Sequence, residues 1–159
     1  MMISGIDPDT KAITGVTLEE GKEPRIYRIE AKGRRAEDRI EKLYTSLCRT
    51  FFGEPSDWVY IELPILSHFK GKVNAKALRD QAMVIGMIRY WLWSNDQPHS
   101  MVDNTVWKKG LLGNGHASKE EIAAYAQRML HIPAEHPQDV YDAACIAAWG
   151  SRQQLGGTK

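Results

Sequence analysis

Hydrophobic periodicity changes along this chain in an order that few folds accommodate. Three stretches alternating with a period of two come first, "MISGID", "AITGVTLEE" and "RIYRIEA", separated by the turn sequences "PDTK" and "EEGKEP". Strands joined by such short turns form an antiparallel meander. Pro8 lacks an N–H and closes the first of them. The period then lengthens: Ile40, Leu43, Tyr44, Leu47, Cys48 and Phe51 recur at helical spacing over residues 34–52, with Gly53 as a stop. "DWVYIELP" is a fourth strand, "NAKALRDQAMVIGMIRYWLWSN" a long, mostly apolar helix, and "HSMVDNTVW" a fifth strand. "GLLGNGHASK" reads as a glycine-containing loop. In "SKEEIAAYAQRML", Ser118 and Glu121 form a capping box at the start of a helix, and "HPQDVYDAACIAAWG" opens the last helix.

A meander followed by strand–helix alternation implies an α/β fold, a mixed sheet with helices on its faces. The two later strands run parallel to the first, reached by right-handed crossovers, which sets the C-terminal ends of strands one and four side by side. The 159 residues suit one domain, residues 1–152, with a short flexible tail at 153–159. With 43% apolar and 26% charged residues the chain is not disordered, and its formal charge of +1 neither demands nor excludes a polyanionic partner. Basic residues gather between Arg25 and Arg49 and again at Lys108, Lys109 and Lys119. In the first group Glu37, Asp38 and Glu41 are interspersed, so much of it reads as a solvated helix face. Cys48 and Cys145 fall in apolar helical stretches, which suggests two buried thiols and a reducing compartment. The start "MMISGIDPD" has no secretion-signal pattern, and the most apolar stretch is interrupted by Arg89, so a cytoplasmic protein with no membrane span is expected.

Four carboxylates stand out. Asp139 and Asp142 share nearly one face of the last helix, where acidic residues in a first turn are ordinarily explained by capping and the helix dipole. Asp7 ends the first strand, with Gly5 leaving space beside it, and Glu62 ends the fourth. Either alone reads equally well as a solvated strand-end carboxylate, but in open α/β sheets ligand sites gather where strands end. Four such groups brought together would repel by several kcal/mol at an effective dielectric of about 20, so protons or cations must occupy the cluster. Two divalent ions balance four carboxylates, and hard cations such as Mg²⁺ prefer oxygen ligands. A pair of ions about 3.5–4 Å apart can hold the attacking and leaving oxygens of a phosphodiester displacement.

These segments resemble the RuvC-type Holliday junction resolvases of the RNase H-like superfamily. "GIDPDTKAITG" is similar to the family's opening Gly-Ile-Asp-Pro-Gly segment, with Asp7 at the catalytic aspartate, and "YIELP" to the strand holding the catalytic glutamate, here Glu62. "NAKALRDQAMVIGMI" resembles the helix that contributes to the family's dimer interface. "VWKKGLLGNGHASKEEI" places Lys108 and Lys119 at lysines that face DNA, and "DVYDAACIA" gives Asp139 and Asp142. The resemblance implies an RNase H-like fold with a five-stranded mixed sheet, and a homodimer formed through the helix around residues 74–94. It also implies two Mg²⁺ per site, replaceable by Mn²⁺, and paired symmetric nicks in a four-way junction. Asp7 is the candidate to bridge the ions.

The departures are local. Asp9 stands where the family has glycine, one extra residue precedes Thr14 and Gly15, and the 63–73 loop is longer than the bacterial pattern. Phe69 is the nearest candidate for the aromatic that stacks at the junction centre, and reads equally well as a loop anchor. A compact, diverged member would suit a bacteriophage, acting then in host cytoplasm. The histidines, including His136, show no paired metal-ligand spacing, so no zinc site is expected. "GLLGNG" lacks the Lys-Ser/Thr ending of a phosphate-binding loop. Rival readings are an RNase H-like nuclease acting on flaps, forks or RNA–DNA hybrids, and a non-catalytic junction binder. An actin-like ATPase would need two such halves.

Overall fold

The computed structural model describes residues 1–50, 55–63 and 75–156. Strands β1 (Met2–Pro8), β2 (Ala12–Glu19) and β3 (Arg25–Glu30) form the meander, β1 antiparallel to β2 and β2 to β3. Helix α1 (Ala36–Thr50) precedes β4 (Trp58–Leu63), and α2 (Ala75–Ser94) precedes β5 (His99–Asp103). β4 lies parallel to β1 and β5 parallel to β4, giving the sheet order β3-β2-β1-β4-β5. The chain ends with α3 (Asn104–Leu112), α4 (Lys119–Met129) and α5 (Gln138–Gly156).

Strand alternation divides the core in two. Ile6, Ile13, Ile29, Val59 and Ile61 pack with Leu43 and Leu47 of α1 and Val84, Ile88 and Leu92 of α2. Ile3, Val16, Tyr60 and Val102 pack on the opposite face with Trp107 of α3, Ile122 of α4 and Val140 and Ile146 of α5. Burying each large aliphatic side chain contributes about 1.5–3 kcal/mol, so both faces are needed to hold a sheet of this size. α5 comes closest. Ala143, Ala144 and Ala147 are fully buried, and a Cβ on Gly5 would stand 2.2 Å from the Ala143 carbonyl oxygen and 2.5 Å from the Ala147 nitrogen. Only glycine lets helix and strand backbones approach this far.

Three expectations are corrected. The fifth strand stops at Asp103, and Asn104–Leu112, read as strand and loop, is the helix α3. Trp107 and Leu111, four residues apart, bury one face of it, and Gly113 in the left-handed conformation (φ 78°) ends it. Gly110, which suggested a loop, is there for packing: a Cβ would lie 2.5 Å from Trp149 Nε1. Secondly, Cys48 is exposed, on the outer side of α1, while Cys145 is buried with its thiol pushed up to about 12, chiefly by burial. Thirdly, α5 runs to Gly156, so residues 153–156 of the expected tail are helical. Phe69, Gly53, residues 64–73 of the long loop, and 157–159 lie outside the described residues. Among the described residues no helix is long and apolar enough to cross a membrane.

Candidate active site

Strand register assembles the site. Asp7 pairs across the sheet with Thr14, and Thr14 with Arg28. Carrying the parallel Ile6–Ile61 register one residue further aligns Asp7 with Glu62. Glu62, Asp7, Thr14 and Arg28 therefore form one row across β4, β1, β2 and β3. Because side chains alternate, this row shares its face with Gly5, where α5 is seated. The first turns of α5 bring Asp139 and Asp142 down onto it.

Asp139 does not behave as a helix cap. Its Oδ2 accepts from Thr14 Oγ1 at 2.8 Å and from Arg28 Nε at 2.9 Å, so it reaches to the sheet. Its Oδ1 is buried and has no hydrogen-bond partner among the described residues. Glu62 accepts through Oε1 from Trp107 Nε1 at 2.9 Å and from Asn104 Nδ2. Asp142 accepts through Oδ1 from Gln138 Nε2 at 3.1 Å. The carboxyl of Asp142 is pushed up to about 6, mainly by burial, with Gln138 acting downward, Glu62 upward, and the Lys108 and Lys119 charges downward. Asp7 is held well above the usual carboxylate range, first by burial and then by Glu62, Asp142, Asp139 and Asp9. Asp7 thus feels the other three expected carboxylates, and both expected lysines lie near enough to act on Asp142.

The extra acidic residue, Asp9, folds into its own turn. Its Oδ1 accepts from the Lys11 backbone N–H at 3.2 Å and from Thr10 Oγ1 at 3.1 Å, and its backbone N–H donates to Ala12 at 2.8 Å. Sequence reasoning missed Thr14, Arg28, Asn104 and Trp107. The first two were accessible from strand alternation, since they share the register of Asp7. The last two were hidden once Asn104–Leu112 was read as strand and loop.

Among the described residues no three histidine, cysteine or acidic side chains already stand close enough to enclose a metal ion. The donor chemistry fits a hard cation all the same. The rim offers carboxylate oxygens, and the orphaned, buried Asp139 Oδ1 is a group that normally requires a partner.

A mixed sheet of this order, with acidic side chains at the ends of β1 and β4 and on the helix packed across them, defines the RNase H-like class of fold. No model of a protein family matches the chain. It is 25% identical over 154 residues to the crossover junction endodeoxyribonuclease RuvC of Geobacter sulfurreducens, covering 92% of this chain and 90% of the relative. It is 29% identical over 146 residues to that of Porphyromonas gingivalis, covering 89% and 75%. Thermus thermophilus RuvC superposes with a TM-score of 0.79 at 21% identity over 99% of this chain and 98% of that one. The same protein in complex with Holliday junction substrate gives 0.76 at 20% identity, over 99% and 97%. Within that class of fold, the proteins it is similar to are RuvC nucleases.

Proposed function

We propose that this chain is a divalent-cation-dependent endonuclease that resolves four-way DNA junctions by paired symmetric nicks. The observation that carries the proposal is the convergence of Asp7, Glu62, Asp139 and Asp142 on one sheet rim, with a buried Asp139 oxygen left unpaired. The RuvC relatives are crossover junction endodeoxyribonucleases, and the Thermus protein was solved with a Holliday junction, which supports the substrate class.

Asp7, in the middle of the row, and Glu62, Asp139 and Asp142 around it would hold two Mg²⁺ ions, with Mn²⁺ able to substitute. Bound there, such ions supply an activated water and stabilise charge developing on the scissile phosphate. The chain's own groups do the rest. Burial and neighbouring carboxylates raise Asp7 above the usual range and Asp142 to about 6, so protons compete with a cation there and cation binding would strengthen as pH rises. Lys108 and Lys119, beside Asp142, hold DNA phosphates and orient the strand. A homodimer presents two such sites to the two symmetric strands. Met83, Tyr90 and Trp93 on α2 are 44%, 59% and 70% exposed, and Tyr44 of α1 is 38% exposed, an aromatic surface suited to a second copy.

The test is cleavage of labelled four-way junctions, forks, flaps and linear duplex with Mg²⁺ or EDTA. Paired symmetric nicks in the junction, abolished in Asp7→Asn without loss of junction binding, are expected. Preferential cutting of flaps or forks, or Mg²⁺-independent cutting, refutes the assignment.

A further inference from the structure

We infer that Trp107 and Asn104 are positioning residues that clamp Glu62 by a single oxygen and leave the other facing the cleft for a cation. The inference rests on the nuclease reading above and assigns a role to two residues outside the carboxylate set. Both donors come from α3, three positions apart and so on one helix face. Both reach the same acceptor, Glu62 Oε1. Among the described residues no hydrogen bond reaches Oε2.

The indole is well suited to this task. Trp107 is fully buried, so its ring is fixed by the core around it, and its N–H can only donate. Gly110, one turn on, lets α3 lie against Trp149 of α5, which ties the clamp to the helix bearing Asp139 and Asp142. The same one-oxygen design recurs at Asp139 and Asp142. Thr14 and Arg28 share Asp139 Oδ2 and leave Oδ1 bare, and Gln138 takes Asp142 Oδ1. Donors that occupied both oxygens of each group would compete with a cation. Donors confined to one oxygen fix its orientation and leave coordination to the other. A purely structural reading, in which Glu62 merely satisfies a buried indole, predicts lost stability without lost cation affinity.

The experiment compares the whole chain with Trp107→Phe, which keeps an aromatic ring but removes the donor, and with Asn104→Leu, which keeps the approximate shape. Mn²⁺ binding is measured by isothermal titration calorimetry without DNA. Junction cleavage is followed in single turnover across a Mg²⁺ series, and junction binding in EDTA. Each variant is expected to bind Mn²⁺ about 10- to 100-fold more weakly, the range found when outer-shell partners of metal ligands are removed. Cleavage should fall at limiting Mg²⁺ and recover at high Mg²⁺, with junction affinity unchanged. Should Trp107→Phe not fold, Asn104→Leu, at a half-buried position in the first turn of α3, decides the matter. Folded variants with wild-type Mn²⁺ affinity overturn the clamp while leaving the nuclease reading standing. Failure of the unsubstituted chain to bind Mn²⁺ overturns both.

Discussion

Gly5→Ala is the sharpest test of how the cleft is built. Gly5 lies under α5, and the added Cβ would stand 2.2 Å from the Ala143 carbonyl oxygen, 2.5 Å from the Ala147 nitrogen and 3.0 Å from Ile146 Cβ. Ordinary contact begins near 3.4 Å, so α5 must recede from β1 by the difference, about 1.2 Å. Two of the opposing atoms are backbone and cannot rotate away, which places the cost near the upper end of the usual overpacking range, about 3 kcal/mol. For a domain of this size that lowers Tm by about 6–12 °C. The displacement reaches the proposed site directly, because Asp142 immediately precedes Ala143 and Asp139 lies one turn before it. A misplacement of about 1 Å costs on the order of 100-fold in rate. Circular dichroism melting reads the first effect. Single-turnover junction cleavage, well below the variant's Tm, reads the second, with gel-shift binding in EDTA as the control for DNA affinity. A variant melting within about 2 °C of wild type and cleaving at an unchanged rate would show that the close approach of β1 and α5 does not set the geometry of the cleft.

The other predictions concern charge and assembly. Asp142 has a folded value of about 6 against an ordinary 3.8, so protonation favours the fold: the contribution is complete below about 4 and is lost as pH rises through 6. Asp142→Asn should therefore raise Tm in EDTA at pH 8 by several degrees, from an effect on the order of 2 kcal/mol, and change it little at pH 4. Calorimetry showing no gain at pH 8 would contradict this. Lys108→Ala should weaken junction binding and reduce the slope of log K against log salt by about 1, measured by fluorescence anisotropy, if it meets a phosphate. If the proposed homodimer forms through α2, Trp93→Glu, which charges its exposed surface, should shift sedimentation from dimer to monomer while leaving the fold intact. A wild-type chain that sediments as a monomer refutes the proposed interface.

The meander, the parallel later strands and the pairing of strands one and four were legible because the first strands carried a two-residue alternation and each turn its own chemistry. The end of the fifth strand was not. Asp7, Glu62, Asp139 and Asp142 stood out as candidates, since several charges placed at the ends of apolar elements are hard to explain together by packing. What could not be read was whatever depended on distant approach. Gly110 looked like a loop residue because the sequence does not show Trp149 pressing against it. Cys48 looked buried because helical spacing counts apolar residues on a face without saying what covers that face, and here it is exposed. On its own stretch Asp139 read more readily as a helix cap, because nothing local shows that Thr14 and Arg28, more than a hundred residues earlier, hold it.

The transverse line of Glu62, Asp7, Thr14 and Arg28 has an effect on how such a protein can fail. Sliding any one of these strands by a single residue would turn its member of the line to the far side of the sheet, under α1 and α2. On the proposed reading, mispaired chains would not be sluggish nucleases; they would lack the carboxylate cluster altogether. Junction cleavage per molecule would then count correctly paired sheets.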